Sequence, residues 1–218
     1  MPWNITIREP GSALTHFIAL LMAQIASVPL LIRAVGKSPA AVWAMAVFIF
    51  SMMLLYGAST AYHSVNLRGR ALRIFRKIDH MMIFVLIAGT YTPVTLLVLP
   101  RTSGVPLFIA VWSVALGGML LKMCWVTCPK WFSSIIYIAL GWFCVPVIGE
   151  LYRTLPAAAF LWLLAGGIVY TIGGVVYALK LPLFNARHKN FGSHEIFHLF
   201  VMGGSICHFI VMFVYVLG

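Results

Sequence analysis

Seven stretches of this chain are apolar for about 20 residues each: roughly residues 13–33, 40–65, 78–99, 104–122, 131–150, 156–179 and 193–217. A run of that length crosses a hydrocarbon core of roughly 30 Å as a helix, the conformation that pairs every backbone N–H and C=O within one segment where no water can. The connections between the runs are only about 5 to 13 residues long, which leaves no room for a domain outside the membrane. The sequence therefore predicts an all-α membrane protein, one seven-transmembrane helix bundle occupying residues 1–218. The first run is too long for a cleavable signal peptide, follows an acid (Glu9), and lacks a convincing A-x-A site before Arg33, so all seven are expected to be retained.

Composition agrees. The chain is 62% hydrophobic and 9% charged, against about 45–50% and 25% in soluble domains, which excludes an ordinary water-soluble fold. Its four cysteines are scattered, which excludes a disulfide scaffold.

The few charges are lopsided, with 15 Lys and Arg against 4 Asp and Glu. Short cytoplasmic loops collect Lys and Arg, so their placement gives the direction of insertion. The amino terminus and the second, fourth and sixth loops share one side. That side carries Arg8, Arg68, Arg70, Arg73, Arg76, Lys77, Lys122, Lys130, Lys180, Arg187 and Lys189, against Arg33, Lys37, Arg101 and Arg153 opposite. The amino end is predicted to be cytoplasmic and the carboxyl end outside. The basic loop Arg68–Lys77 is expected to lie against anionic headgroups. A nucleic-acid partner is not expected, because so short a loop offers little surface to a duplex.

Ionisable groups within spanning segments are costly and usually face the bundle interior. Ser59 and His63 end the second run, Asp79 opens the third, and His194 and His198 open the seventh. The predicted topology puts all five at one depth, near the cytoplasmic face. His194 and His198, four apart, share one helix face about 6 Å apart along the axis. With His63 they make three neutral nitrogen ligands and an open position, the pattern of a catalytic zinc site, in which the metal activates water. Asp79 is the candidate to hold or deprotonate that water, and Ser59, one turn deeper than His63, to hydrogen-bond the water or a substrate carbonyl.

The remaining motifs carry less. His80 is expected at an interface or loop, His16 and His208 as interhelical hydrogen-bonding residues, and His188 in a basic loop. His208 lies about 15 Å beyond His198 along a helix, too far for the same metal. His194 to His198 also spells H-E-x-x-H, a metalloprotease motif, but no suitable third ligand follows it. Glu195 fits a helix N-terminus instead, where the dipole favours its charge. Cys124, Cys128, Cys144 and Cys207 are expected to be structural or unpaired. The Gly166-Gly167 and Gly173-Gly174 pairs suit close helix packing, and Pro93 and Pro146 suit kinks.

The segments S-T-A-Y-H (Ser59–His63), D-H-M-M-I-F-V-L-I-A-G-T-Y-T-P (Asp79–Pro93) and H-E-I-F-H-L-F-V-M-G-G-S-I-C-H (His194–His208) together closely resemble the haemolysin III family. That family is the bacterial branch of the progestin and adipoQ receptor group, related in turn to alkaline ceramidases. The resemblance covers nearly the whole chain. It implies seven spans with the amino end inside, residence in the bacterial plasma membrane, and a zinc site at the positions of Ser59, His63, Asp79, His194 and His198.

The activity expected is zinc-dependent hydrolysis of a membrane-lipid amide or ester, ceramidase-like, with a role in membrane homeostasis and with membrane lipids as partners. Two alternatives keep the zinc as a structural staple: a pore-forming cytolysin or channel, and a receptor-like stress sensor. A pore would need a polar stripe through the membrane, and the outer halves of the runs contain few ionisable groups.

Overall fold

Proline and serine set the first helix starts. The Ser38 hydroxyl accepts the Ala41 N–H at 3.1 Å ahead of α2 (Pro39–Ser64), and Pro39 fills the first helical position, where no donor is needed. Pro10 likewise opens α1 (Pro10–Val35) directly after Glu9. The computed structural model describes residues 7–179 and 191–218, among which there are helices and no strand. The connection carrying Lys180, Arg187, His188 and Lys189 lies outside the described residues, so the expectation for His188 does too.

α3 (Gly69–Pro93) begins well before residue 78. Gly69 takes φ +61°, in the left-handed region that glycine enters without a Cβ clash. Arg70, Arg73, Arg76 and Lys77 then alternate with Leu72, Ile74, Phe75 and Ile78. Arg and Lys are good helix formers whose stems cover apolar surface, but their charge interrupts the apolar run by which a span is recognised. The basic segment is thus helix rather than loop, and Asp79 sits more than two turns into α3 instead of opening it. α3 ends at Pro93, which has no N–H to donate, and the chain widens into a π-helical turn over Val94–Val98.

α4 (Arg101–Cys124) follows, and then a broken fifth span. Pro146 lies in a 3-10 turn, Val145–Val147, that separates α5 (Lys130–Gly141) from α6 (Ile148–Thr154). α7 (Ala157–Leu179) and α8 (Ser193–Ile210, continued by a π-helical Val211–Val216) complete the fold. Among the described residues, seven segments are long and apolar enough to cross a membrane: Pro10–Val35, Pro39–Ser64, Gly69–Val98, Arg101–Cys124, Lys130–Thr154, Ala157–Leu179 and Ser193–Val216.

α2 and α3 are the core of the bundle, with 50% and 56% of their most apolar stretches buried. α2 packs on α1 and α3, α3 on α4, α5 on α7 and α7 on α8; α1 also meets α8, bringing the first and last spans together. Since lipid tails are as apolar as leucine, these contacts rely on close fit, and glycines provide it. A Cβ on Gly89 would fall 2.3 Å from the Ser51 Oγ, one on Gly118 2.2 Å from Phe84, and one on Gly173 2.7 Å from Phe200. Ile25, Val28, Phe50, Leu116 and Leu161 face outward, where a bilayer would cover them. At the far end of α1, Arg33 donates to the Phe213 carbonyl and Lys37 to the Gly218 carbonyl, each at 2.8 Å.

Candidate metal centre

The end of α2 and the start of α8 bring His63, His194 and His198 together, with one ligand nitrogen from each lying within 4.8 Å of the others. His63 and His198 are buried and His194 is half-buried. The Nε2 atoms of His63 and His194 are 3.3 Å apart. Two nitrogens each about 2.0–2.1 Å from one tetrahedral ion would be separated by about 3.3 Å, so the spacing suits a shared metal.

Hydrogen bonds on the outer side of two imidazoles set which nitrogen faces inward. His63 Nδ1 donates to the Glu9 carboxylate, and Glu9 N–H donates back to the His63 carbonyl at 3.0 Å. The Thr15 hydroxyl lies 3.0 Å from His198 Nδ1, and its own hydrogen is directed to the Gly11 or Ser12 carbonyl, so it accepts from the ring. A proton on Nδ1 leaves the Nε2 lone pair of each ring free for a cation, the usual outer support of a histidine ligand. Glu9 is suited to this because its hydrogen bond with His63, together with the nearby Arg8 charge, outweighs partial burial and holds its carboxyl below the usual carboxylate range. Arg8 stacks over Tyr62, with its guanidinium 4.2 Å from the ring centroid, and ties the tail down beside His63.

Glu195 is occupied elsewhere. Its carboxylate accepts from the Gly192 N–H at 2.7 Å at the start of α8 and from the Ser12 hydroxyl of α1. Both oxygens are engaged, so the base of a metalloprotease H-E-x-x-H is not available in this arrangement.

Asp79 and Ser59 are not among the three clustered ligands but line the same cavity as His194 and His198. The Ser59 hydroxyl is buried without a hydrogen-bond partner among the described residues, in keeping with a group directed at something the cavity holds. The cavity, about 170 Å³, runs from these polar groups along α3, α7 and α8 between Leu55, Ile83, Ile87, Leu164, Phe197 and Val201. It is polar at the histidine end and apolar along most of its length.

The three remaining described histidines are all buried. Among the described residues, neither ring nitrogen of His16 has a hydrogen-bond partner; the ring stacks on His198 with centroids 3.6 Å apart and planes 8° from parallel. Its position one turn into a buried helix face puts it against a ring, not a polar partner. His80 lies at an interface and not at a loop, because α3 has already begun: it is buried, its carbonyl accepts from the Tyr137 hydroxyl of α5, and its Nδ1 lies 2.9 Å from the Arg76 carbonyl and 3.3 Å from the Asp79 carboxylate. His208 packs closely against Gly166 and stacks on Tyr170, and its Nδ1 has no partner among the described residues. All four cysteines are unpaired. Glu9, Ser12 and Thr15 were missed by the sequence reading, although polar residues at 9, 12, 15 and 16 form a stripe along the start of an otherwise apolar helix.

Residues 5–209 match the family described as haemolysin-III related. The chain is 37% identical to Hemolysin-3 of Bacillus cereus over 210 residues, covering 96% of this chain and 92% of that protein. It is 38% identical to the Hemolysin-3 homolog of Bacillus subtilis (strain 168) over 214 residues, covering 96% and 95%. More distantly, it is 22% identical over 197 residues to the adiponectin receptor protein of Drosophila melanogaster, covering 74% of this chain and 40% of that one.

Proposed function

The chain belongs to the haemolysin-III-related family, and we propose that it is a zinc-dependent hydrolase of a membrane-lipid amide or ester that serves membrane homeostasis. It is a multi-pass protein of the bacterial cell membrane, so a lipid substrate need never leave the bilayer to reach the cavity. The observation that carries the reading is the junction of a three-histidine cluster with an apolar cavity that also exposes Asp79 and Ser59.

His63, His194 and His198 would hold the ion through Nε2, with Glu9 and Thr15 fixing two of the rings. Bound zinc would supply a Lewis acid and activate water near neutral pH. Asp79 would accept the proton from the attacking water at a carboxylate oxygen and return it to the departing amine or alcohol. The Ser59 hydroxyl would donate to the substrate carbonyl oxygen, which gains negative charge during attack. The apolar cavity wall would take the acyl chain and keep bulk water away from the scissile bond.

The excess of Lys and Arg on the side of the amino terminus supports a cytoplasmic placement for this centre. The deciding experiment is release of fatty acid from phospholipid and sphingolipid mixtures by the purified protein, with and without chelation. Release that survives removal of the metal refutes the mechanism, and no release from any amide- or ester-linked lipid by metal-loaded protein refutes the activity. The name of the Bacillus relatives favours membrane lysis as a second reading; dye leakage from liposomes that persists when the three histidines are replaced would support it.

A further inference from the structure

Away from the metal centre, Lys122 in the last turn of α4 is completely buried, at 0% exposure. A buried ammonium is costly unless an anion accompanies it. The sequence has four carboxylate side chains, and each is engaged elsewhere: Glu9 with His63 and Arg8, Asp79 with His80, Glu150 with Ser103, and Glu195 with Gly192 and Ser12. Lys122 Nζ instead lies 3.0 Å from Cys128 Sγ and donates to the Ser133 hydroxyl, which is itself 3.3 Å from the sulfur. It also faces the Tyr137 ring at 5.7 Å, a contact that favours a cation. Among the described residues, the Cys128 sulfur is the group beside Lys122 that can carry a negative charge.

We propose that Lys122 and Cys128 form a buried ammonium–thiolate pair, and that Cys128 is a modification site for small oxidants of the peroxide class. The chemistry follows from the pairing. The thiolate sulfur attacks one peroxide oxygen, the O–O bond breaks, and the products are a sulfenic acid and hydroxide. The sulfur is oxidised and the peroxide reduced. Lys122 has then lost its anion, so its ammonium gives a proton to the hydroxide, forming water. The neutral amine, already at 3.0 Å, attacks the sulfenic sulfur, expels its oxygen as a second water, and closes an S–N bond. Two thiols reverse the bond, regenerating thiol and amine while becoming a disulfide.

Supporting this, burial pushes the Cys128 thiol up, but hydrogen bonds from Lys122 and Ser133 and the Lys122 charge outweigh it and hold the group below the ordinary thiol range. Cys128 sits in the connection between α4 and α5, so a peroxide approaches from the end of the bundle rather than through lipid. The bond would pin that connection to the end of α4. Cys124, one turn before it, is exposed and makes a built-in comparison.

The infrared S–H stretch of wild type minus Cys128→Ser reads the charge directly and does not depend on reagent access. The pair predicts no S–H band from Cys128 at neutral pH and its appearance in Lys122→Met; a band from Cys128 in the wild-type protein at neutral pH overturns the proposal. If Lys122→Met does not fold, the wild-type spectrum still decides. Dilute hydrogen peroxide followed by denaturation and trypsin reads the bond. Cleavage after Lys122 should be lost, cleavage after Lys130 kept, and the peptide of residues 102–130 found two hydrogens lighter than its unmodified mass. Undiminished cleavage after Lys122 while Cys128 is oxidised, or oxidation of Cys124 ahead of Cys128, overturns it.

Discussion

Glu9 holds His63 at two points, its carboxylate accepting from the ring Nδ1 and its N–H donating to the carbonyl of the same residue at 3.0 Å. The backbone bond places the tail and the carboxylate then fixes the ring. Replacing Glu9 with Gln keeps the backbone bond but weakens the acceptor. Loss of an outer partner of a metal-binding histidine typically lowers affinity about 10- to 100-fold. Glu9→Gln, and separately Thr15→Val, should show that loss in competition with a calibrated chelator; unchanged affinity in both would mean the tail and α1 do not support the ligands.

Metal content is the broader test of the cluster. Protein purified without chelator should carry about one divalent ion per chain, held by three nitrogens with an open position. The combined His63→Ala, His194→Ala and His198→Ala variant should carry none. Equal metal in that variant and the wild type would place the ion elsewhere.

Asp79 lines the cavity without belonging to the ligand cluster, so its loss should separate binding from chemistry. Asp79→Asn should keep its metal and slow lipid hydrolysis by about 10²- to 10⁴-fold, the usual contribution of a positioned acid–base group. Ser59→Ala should also keep the metal, with a loss of about 10²-fold in turnover. Measured together, metal content and turnover give the answer: if both fall in Asp79→Asn, the carboxylate supports the site instead of the reaction.

Helix packing can be tested independently of function. A Cβ on Gly89 meets the Ser51 side chain of α2 at 2.3 Å, while one on Gly117 of α4 meets nothing within 4 Å. Gly89→Ala should destabilise by about 1–3 kcal/mol through overpacking. Gly117→Ala should be neutral or stabilising by up to about 1 kcal/mol, from helix propensity. Thermal unfolding in one detergent distinguishes them, and equal midpoints would argue against a tight α2–α3 contact.

The seven spans were legible because hydropathy is a local property summed over about 20 residues. His63, His194 and His198 were legible because imidazoles are rare in such segments and two of them share a helical spacing. The start of α3 was not, since Arg70 to Lys77 dilute the apolar signal of a helix that has already begun. Glu9 and Thr15 were not for a different reason. Their partners lie 54 and 183 positions away, and only the packing of α1 on both α2 and α8 brings them together. His16 shows the same limit, because a sequence cannot distinguish a stacked ring from a hydrogen-bonded one.

The meeting of α1 with α8 has a consequence for biosynthesis. α1 leaves the ribosome well before α8, yet Thr15 and Ser12 at one end, and Arg33 and Lys37 at the other, find partners on α8 or the residues that follow it. Until α8 is translated, Ser12, Arg33 and Lys37 lack these partners, Thr15 bonds only within α1, and two of the three clustered histidines do not exist. A chain stopped short of α8 therefore holds α1 through α2 alone, with its polar fastenings to the last described span unmade at both membrane surfaces.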